Sequence, residues 1–435
     1  MKNCLQPEIE CMESADLQKW QSERLTDLVH NVYQTVPFYR LKMQQMGLEP
    51  SDIKGLADLS KLPFTDKDDL RDHYPYGLFA KPLNEITRIH ASSGTTGQPT
   101  VVGYTQNDLN NWAKMVARAL VAAGCQKESL VQVSYGYGLF TGGLGLHYGA
   151  EALGAAVIPA SGGNTKRQVQ ILQDFGTNIL ACTPSYALYI AETLQEMHID
   201  PATLSLKALI CGAEPWTEEM RSQIEKRLCV KAYDIYGLSE VMGPGVAYEC
   251  EQQAGMHINE DNFIAEIIDP QTMQVLPDDT YGELVFTTIT KEGLPLLRYR
   301  TRDITKINRQ RCECGRTLAR MSKTRGRSDD MLIIRGVNLF PTQIESALLE
   351  VGVIEPQYMI IVDRQDNLDT LTVQVEVSTE TFSDEIKKLE EVRRAIAKSI
   401  LETTGLHAAV QLAEPKTLAR SEGKALRVID KRNLV

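Results

Sequence analysis

Residues 208–240 read ALICGAEPWTEEMRSQIEKRLCVKAYDIYGLSE. Two short apolar runs, Ala208–Gly212 and Ala232–Tyr236, flank the amphipathic segment Glu218–Arg227. Strand-length runs alternating with helix-length segments predict an α/β sheet with helices on both faces. The pattern extends upstream. Leu130–Ser134, Ala155–Pro159 and Asn178–Thr183 are further apolar runs, with Gln106–Ala123, Thr165–Phe175 and Ser185–Met197 as the segments around them. Before this block, residues 14–47 carry Leu17, Trp20, Leu25, Leu28, Val29 and Val32 at helical spacing, closed by Pro37 and Gly47. After it, Phe263–Ile268, Gly282–Thr288 and Asp303–Ile307 read as strands separated by prolines.

The last hundred residues read as a separate small α+β unit. Met331–Ile334 is a short strand. Pro341 with Thr342-Gln-Ile-Glu345 opens a helix in a capping-box pattern. Tyr358–Val362 and the alternating Leu371, Val373, Val375 and Val377 follow as strands. Ile386, Leu389, Val392, Ile396 and Ile400 line one helix face, and Gly405 stands at its C-cap. A last strand, Ala408–Leu412, leads into a polar tail, for the order βαββαβ. The boundary expected is a large unit over 1–326 and a small one over 327–435.

Composition narrows the function classes. The 435 residues are 43% hydrophobic and 24% charged, with a net charge of −11, the balance of a globular chain rather than a disordered or fibrous one. The acidic total disfavours general nucleic-acid binding. No apolar stretch reaches the ~18–20 residues of a membrane span. The opening residues lack a signal-peptide core, so a cytoplasmic setting is expected. Among nine cysteines, Cys125, Cys182 and Cys211 sit singly in apolar runs and read as reduced, buried side chains.

Two segments carry the first chemical signals. Ser92-Ser93-Gly94-Thr95-Thr96-Gly97 follows the strand-like run Ile86–Ala91. Its glycines allow close backbone approach, and its hydroxyls and amides suit phosphate oxygens. It is not a P-loop, because no Gly-Lys-Ser/Thr closes it. Tyr236-Gly237-Leu238-Ser239-Glu240 offers a flat ring, a site of close approach and a carboxylate for a hard cation such as Mg²⁺.

These segments occur in order with Gly212-Ala213-Glu214-Pro215, Tyr299-Arg300-Thr301-Arg302-Asp303, Gly326-Arg327-Ser328-Asp329-Asp330 and Gly423-Lys424. As an ordered set they resemble the adenylate-forming acyl-CoA synthetases. Tyr135–Gly145 and Arg327–Pro341 are most similar to the phenylacetate–CoA ligase family within them. The resemblance implies a large adenylate-forming α/β domain and a small mobile lid turning at Asp329. It implies that ATP, Mg²⁺ and coenzyme A activate an aromatic, best an aryl-acetic, acid as acyl-AMP and then as its thioester. An alternative acceptor, a carrier protein or an amine, is also compatible with it.

Residue by residue, the resemblance places Ser92–Gly97 over the ATP phosphates. Gly212, Ala213, Glu214 and Pro215, with Asp234, Ile235 and Tyr236, stand around adenine, with Gly237 and Ser239 in the same nucleotide site. Glu240 goes with Mg²⁺, Asp303 with the ribose hydroxyls, and Arg327 with the nucleotide. Lys424 bridges the reacting carboxylate and the α-phosphate, and Gly336 lines a pantetheine tunnel. Tyr135, Tyr137, Phe140, Thr141, Gly142 and Gly143, with Gly212 and Ala213, wall the acyl pocket. A homodimer is the assembly expected. The sequence departs from many relatives in having no lysine directly after the glycine-rich loop, where Gln98-Pro99-Thr100 stands.

One further constellation stands apart. Cys250 and His257, with Cys312 and Cys314, make a Cys₃His set suited to structural zinc. The family chemistry does not require it.

Overall fold

Ile179–Cys182 forms a strand in which successive side chains enter different cores. Ile179 and Ala181 join the larger apolar cluster, and Leu180 and Cys182 the smaller. A strand buried on both faces belongs inside a helix-covered sheet, which is why its run is uninterruptedly apolar. The structure is a computed structural model describing residues 3–92, 99–352, 354–365, 368–377 and 386–432. Its largest sheet holds the five parallel strands Ala156–Ile158, Leu130–Val133, Ile179–Cys182, Ala208–Gly212 and Lys231–Leu238, in that spatial order. Gly243–Glu249, Met256–Ile258, Arg320–Met321 and Ile307–Asn308 extend it antiparallel. The order reverses between Leu130–Val133 and Ile179–Cys182, a switch point beyond whose carboxyl ends open α/β sheets place ligands.

The helices between the parallel strands start where capping chemistry directs. Thr105 caps Gln106–Ala122, with Asp108 completing the box; Thr183 caps Pro184–Glu196, and Thr217 caps Glu218–Leu228. The expected segments agree with these helices to within a residue or two. The sequence pattern predicts no helix between Leu130–Ser134 and Ala155–Pro159, but Thr141–Leu153 is one, and it begins at the expected pocket residues Thr141, Gly142 and Gly143. Its glycines conceal it. A Cβ at Gly149 would lie 2.3 Å from a Val116 methyl, and one at Gly145 would lie 2.6 Å from the Trp112 ring. They are there to let two helices pack closely.

Phe263–Ile268, Gly282–Thr288, Tyr299–Thr305 and Gly326–Arg327 form a second, antiparallel sheet. The expected strand Asp303–Ile307 is split, because the chain leaves this sheet at Thr305 and enters the large one at Ile307.

The small unit has its own core, drawn from residues 332–428. Its sheet runs Ala409–Ala413, Leu368–Val377, Ile354–Gln365 and Val428–Asp430, with helices Pro341–Glu350 and Ile386–Thr404. Two expectations are corrected here. Leu332–Ile334 pairs with Val337–Leu339 in a separate hairpin, and the fourth sheet strand comes from the supposed polar tail. The expected capping box also fails to form. Phe340 is the N-cap, Gln343 Oε1 accepts its N–H, and Thr342 donates to the Arg325 carbonyl. Gly405 does cap the second helix, at φ +72°. Among the described residues no helix is long and apolar enough to cross a membrane.

Candidate active site

The expected site segments leave the carboxyl ends of the parallel strands. Tyr135 follows Val133, Ala213–Pro215 follow Gly212, and Ser239–Glu240 follow Leu238. Ala213 adopts φ +71°, a left-handed conformation held at the strand exit. A Cβ at Gly212 would sit 2.2 Å from the Ile235 carbonyl oxygen. Only glycine allows the two strand ends to approach this closely.

Tyr236 donates its hydroxyl to Asp303 Oδ2 at 2.5 Å, joining the two sheets across the cleft. Burial pushes Asp303 up to about 6, against that hydrogen bond and the charges of Arg327 and Lys424. Arg327 is the cross-strand partner of Asp303. Its guanidinium forks onto Asp329 at 2.8 and 2.6 Å, and overrides burial to hold that carboxyl below its usual range. The ribose, nucleotide and hinge candidates are thus contiguous. Asp234 lies two residues before Tyr236 on the same strand. Burial, and then Glu249, push its carboxyl up to about 7.

Glu240 is buried and accepts from Thr100 Oγ1 at 3.1 Å, while Lys67 Nζ lies 3.4 Å away. Ser239 and Thr141 share a hydroxyl contact of 3.0 Å. Beneath them, the buried Lys291 donates to the carbonyls of Glu240 and Val241 at 3.1 and 2.9 Å, and burial pushes it down to about 8. Lys67, Thr100 and Lys291 were missed by sequence reasoning. Each is remote from Glu240 in the chain, so no local spacing could reveal it. Ser92 contacts Thr100 through a hydroxyl pair at 2.5 Å. Ser93, Gly94, Thr95, Thr96 and Gly97 lie outside the described residues.

Around the expected acyl pocket, Tyr135 is buried and donates to the carbonyl of Cys182 at 2.7 Å. Its hydroxyl is therefore committed to the wall, and only its ring can face a substrate. Tyr137 meets His147 Nδ1 at 3.2 Å, Phe140 is exposed, and Thr141, Gly142 and Gly143 are buried at the start of their helix. Gly336 is not brought to this cleft. It forms, with Arg335, the two-residue turn of the hairpin, at φ +79° and +51°, and a Cβ there would meet no atom within 4 Å.

Lys424 is carried to the cleft by the small unit. Its loop docks on the large unit, where Gly423 accepts from Thr183 Oγ1 at 3.0 Å and Ala425 donates to Glu214 Oε2 at 2.8 Å. The Glu214 carboxylate, expected near adenine, is occupied by this contact and by the Ser185 N–H at 2.7 Å.

Cys250, His257, Cys312 and Cys314 converge, with ligand atoms all within 4.8 Å of one another and all four residues buried. Cys250 Sγ lies 3.8 Å from Cys312 Sγ, and Cys314 Sγ lies 3.5 Å from His257 Nε2. A tetrahedral zinc site with ordinary bond lengths has S···S and S···N edges of about 3.8 and 3.6 Å. His257 Nδ1 contacts the Leu318 carbonyl at 3.3 Å, which favours a tautomer that leaves Nε2 free to bind. The Cys250 thiol, with His257 and Arg316, favours the Cys314 thiolate.

Residues 51–290 match the family model for AMP-binding enzymes, and residues 336–432 match that for the AMP-binding enzyme C-terminal domain. The chain is 51% identical to the phenylacetate-coenzyme A ligase of Thermus thermophilus, over 98% of this chain and 99% of that protein. It is 48% identical to the Escherichia coli protein of the same name, over 98% of each. Solved 2-hydroxyisobutyryl-CoA ligase in its postadenylation state superposes with TM-score 0.93 at 31% identity, over 98% of this chain and 92% of that one. The same ligase in its thioesterification state, over the same shares, scores 0.73 at 32% identity. A lower score over an equal span is what a rotated small unit produces. The two units of this chain are arranged much as in the postadenylation structure of that ligase.

Proposed function

The chain belongs to the phenylacetate–CoA ligase family of AMP-binding enzymes, and on that premise we propose that it activates an aryl-acetic acid, phenylacetate first, as acyl-AMP and passes the acyl group to coenzyme A. A carboxylate is a poor acyl donor because its leaving group would be oxide. Its attack on the α-phosphorus of ATP makes AMP the leaving group and releases pyrophosphate. The thiol of coenzyme A then displaces AMP. The first step brings anions together, so its barrier falls where cations are already in place.

The docking of the Lys424 loop beside the Tyr236–Asp303 pair carries this reading. In it, Lys424 lies between the acid and the α-phosphate. Asp303 accepts from the ribose diol, Tyr236 with Gly212, Ala213 and Pro215 lines the base site, and Arg327 leaves Asp329 for the nucleotide. Glu240, with Thr100 and Ser92 beside it, is a hard-oxygen site that would hold Mg²⁺. When bound, Mg²⁺ would supply charge neutralisation on the phosphates. The rings of Tyr135, Tyr137 and Phe140 beside Gly142 and Gly143 suit a flat acyl group. The lid spans 327–435, turns at Asp329, and would bring the Gly336 turn to the cleft for the second step.

The Cys₃His set holds a structural zinc in this reading, supported by its edge lengths and by the carbonyl behind His257. The reading places the enzyme in the cytoplasm as a homodimer, which light scattering on the purified protein checks.

The test is AMP release from ATP, Mg²⁺ and coenzyme A across a panel of acids headed by phenylacetate. Turnover needing both the acid and coenzyme A is expected. Adenylation indifferent to coenzyme A would direct the acyl group to another acceptor.

A further inference from the structure

Lys424 is exposed and sits on a loop outside regular structure, yet in the ligase reading its ammonium must meet the reacting oxygens closely. The residues on either side of it are the ones the large unit holds. Gly423 accepts from Thr183 Oγ1, and Ala425 donates to Glu214 Oε2. Within the loop, the single proton of Ser421 Oγ is shared between the carbonyls of Gly423 and Lys424, at 2.9 and 3.0 Å, so the segment is stiffened as well as tethered.

Both anchors are themselves fixed. The Thr183 hydroxyl donates to Gly423 while accepting the Tyr186 N–H at 3.2 Å as the cap of its helix. The Glu214 carboxylate spends its other oxygen on the Ser185 N–H of that helix. The anchors follow the ends of two neighbouring parallel strands, whose last pairs include Cys182 with Cys211. Neither anchor's contact involves the Lys424 ammonium. Both contacts cross between the units, so a turn of the lid breaks both.

We propose that Thr183 and Glu214 form a two-point clasp that positions Lys424 for adenylation and is released for thioester formation. They are positioning residues, and their effect is confined to one of the two half-reactions. This rests on the ligase reading above.

The half-reactions are measured separately on the full-length protein. Adenylation is followed as pyrophosphate release from ATP and phenylacetate without coenzyme A. Thioester formation is followed from supplied phenylacetyl adenylate and coenzyme A. Thr183→Val and Glu214→Gln are each expected to slow adenylation by about tenfold or more, the effect of a lost or mismatched partly buried hydrogen bond. KM for ATP and the thioester rate should stay within about twofold of wild type on the same grounds. Thr183→Ser restores the donor and should restore adenylation. The intact thioester step serves as the check on folding. Equal losses in both half-reactions would overturn the clasp, as would unchanged adenylation or a serine variant no better than valine. A wild-type chain that cannot adenylate phenylacetate would instead overturn the ligase reading on which the clasp depends.

Discussion

Asp303 and Lys424 meet from opposite ends of the chemistry. An ionised Asp303 carboxylate has acceptors and no donor, and burial pushes its pKa up to about 6. Ionised Asp303 can accept from both ribose hydroxyls, whereas the protonated acid loses acceptor capacity. ATP affinity, measured by calorimetry without the acid substrate, should therefore hold constant above pH 7. It should weaken as pH falls through about 6, approaching tenfold per unit below it. Asp303→Asn should bind weakly and flatten that profile. Lys424→Ala should cut adenylation by roughly a hundredfold or more, the size of a lost charge-stabilising donor. Thioester formation from supplied adenylate should be largely spared, and a rapid-quench comparison of the two half-reactions checks this. Both residues were nominated through the family resemblance that the ordered motifs carry; without it Lys424 would read as a solvated lysine of the tail. Lys291 was not legible, because a lone lysine before Glu292 acquires meaning only when folding places it beneath Glu240.

At the scale of elements, the zinc candidate is a junction. His257 lies on Met256–Ile258, Cys250 directly follows Gly243–Glu249, and Cys312 and Cys314 lie in the turn beyond Ile307–Asn308. Arg316 extends the junction: it donates to Cys314 Sγ at 3.5 Å and to Glu10 at 2.7 Å, with neither Arg316 nor Glu10 exposed. Purified protein should carry one zinc per chain by elemental analysis. Cys312→Ser, or treatment with a strong chelator that is removed before Mg²⁺ is added, should lower Tm by several degrees while adenylation persists at low temperature, because the Cys₃His cluster lies outside the nucleotide cleft. Sequence spacing was enough to nominate these four ligands. The part of Glu10, at the end of the short helix Pro7–Glu10, in the same junction was not legible, since Glu10 and Arg316 are 306 positions apart.

For the whole molecule, the decisive variable is the angle between its two units. Contacts across the boundary, such as Arg227 with Glu355 at 2.8 Å and Arg420 with Glu192 at 3.0 Å, join the small unit to the large one. Asp329→Pro, by restricting the hinge backbone, should leave the first half-reaction within a few-fold of wild type and slow the second by an order of magnitude or more. Stopped-flow thioester formation from supplied adenylate would show it, and a normal rate would remove Asp329 from the hinge. By itself the sequence determined what local physics can write: the alternation of buried runs and amphipathic helices, the ordered motifs, the Cys₃His set, and the separateness of a final α+β unit. Tertiary structure alone decided which distant groups meet. Val428–Asp430 becomes a strand only because Ile354–Gln365 offers it an edge. Glu214 meets the Lys424 loop only because the lid is docked. Short-range propensity depends on neighbours in the chain, whereas partners hundreds of residues apart are chosen by packing, which no spacing in the sequence records.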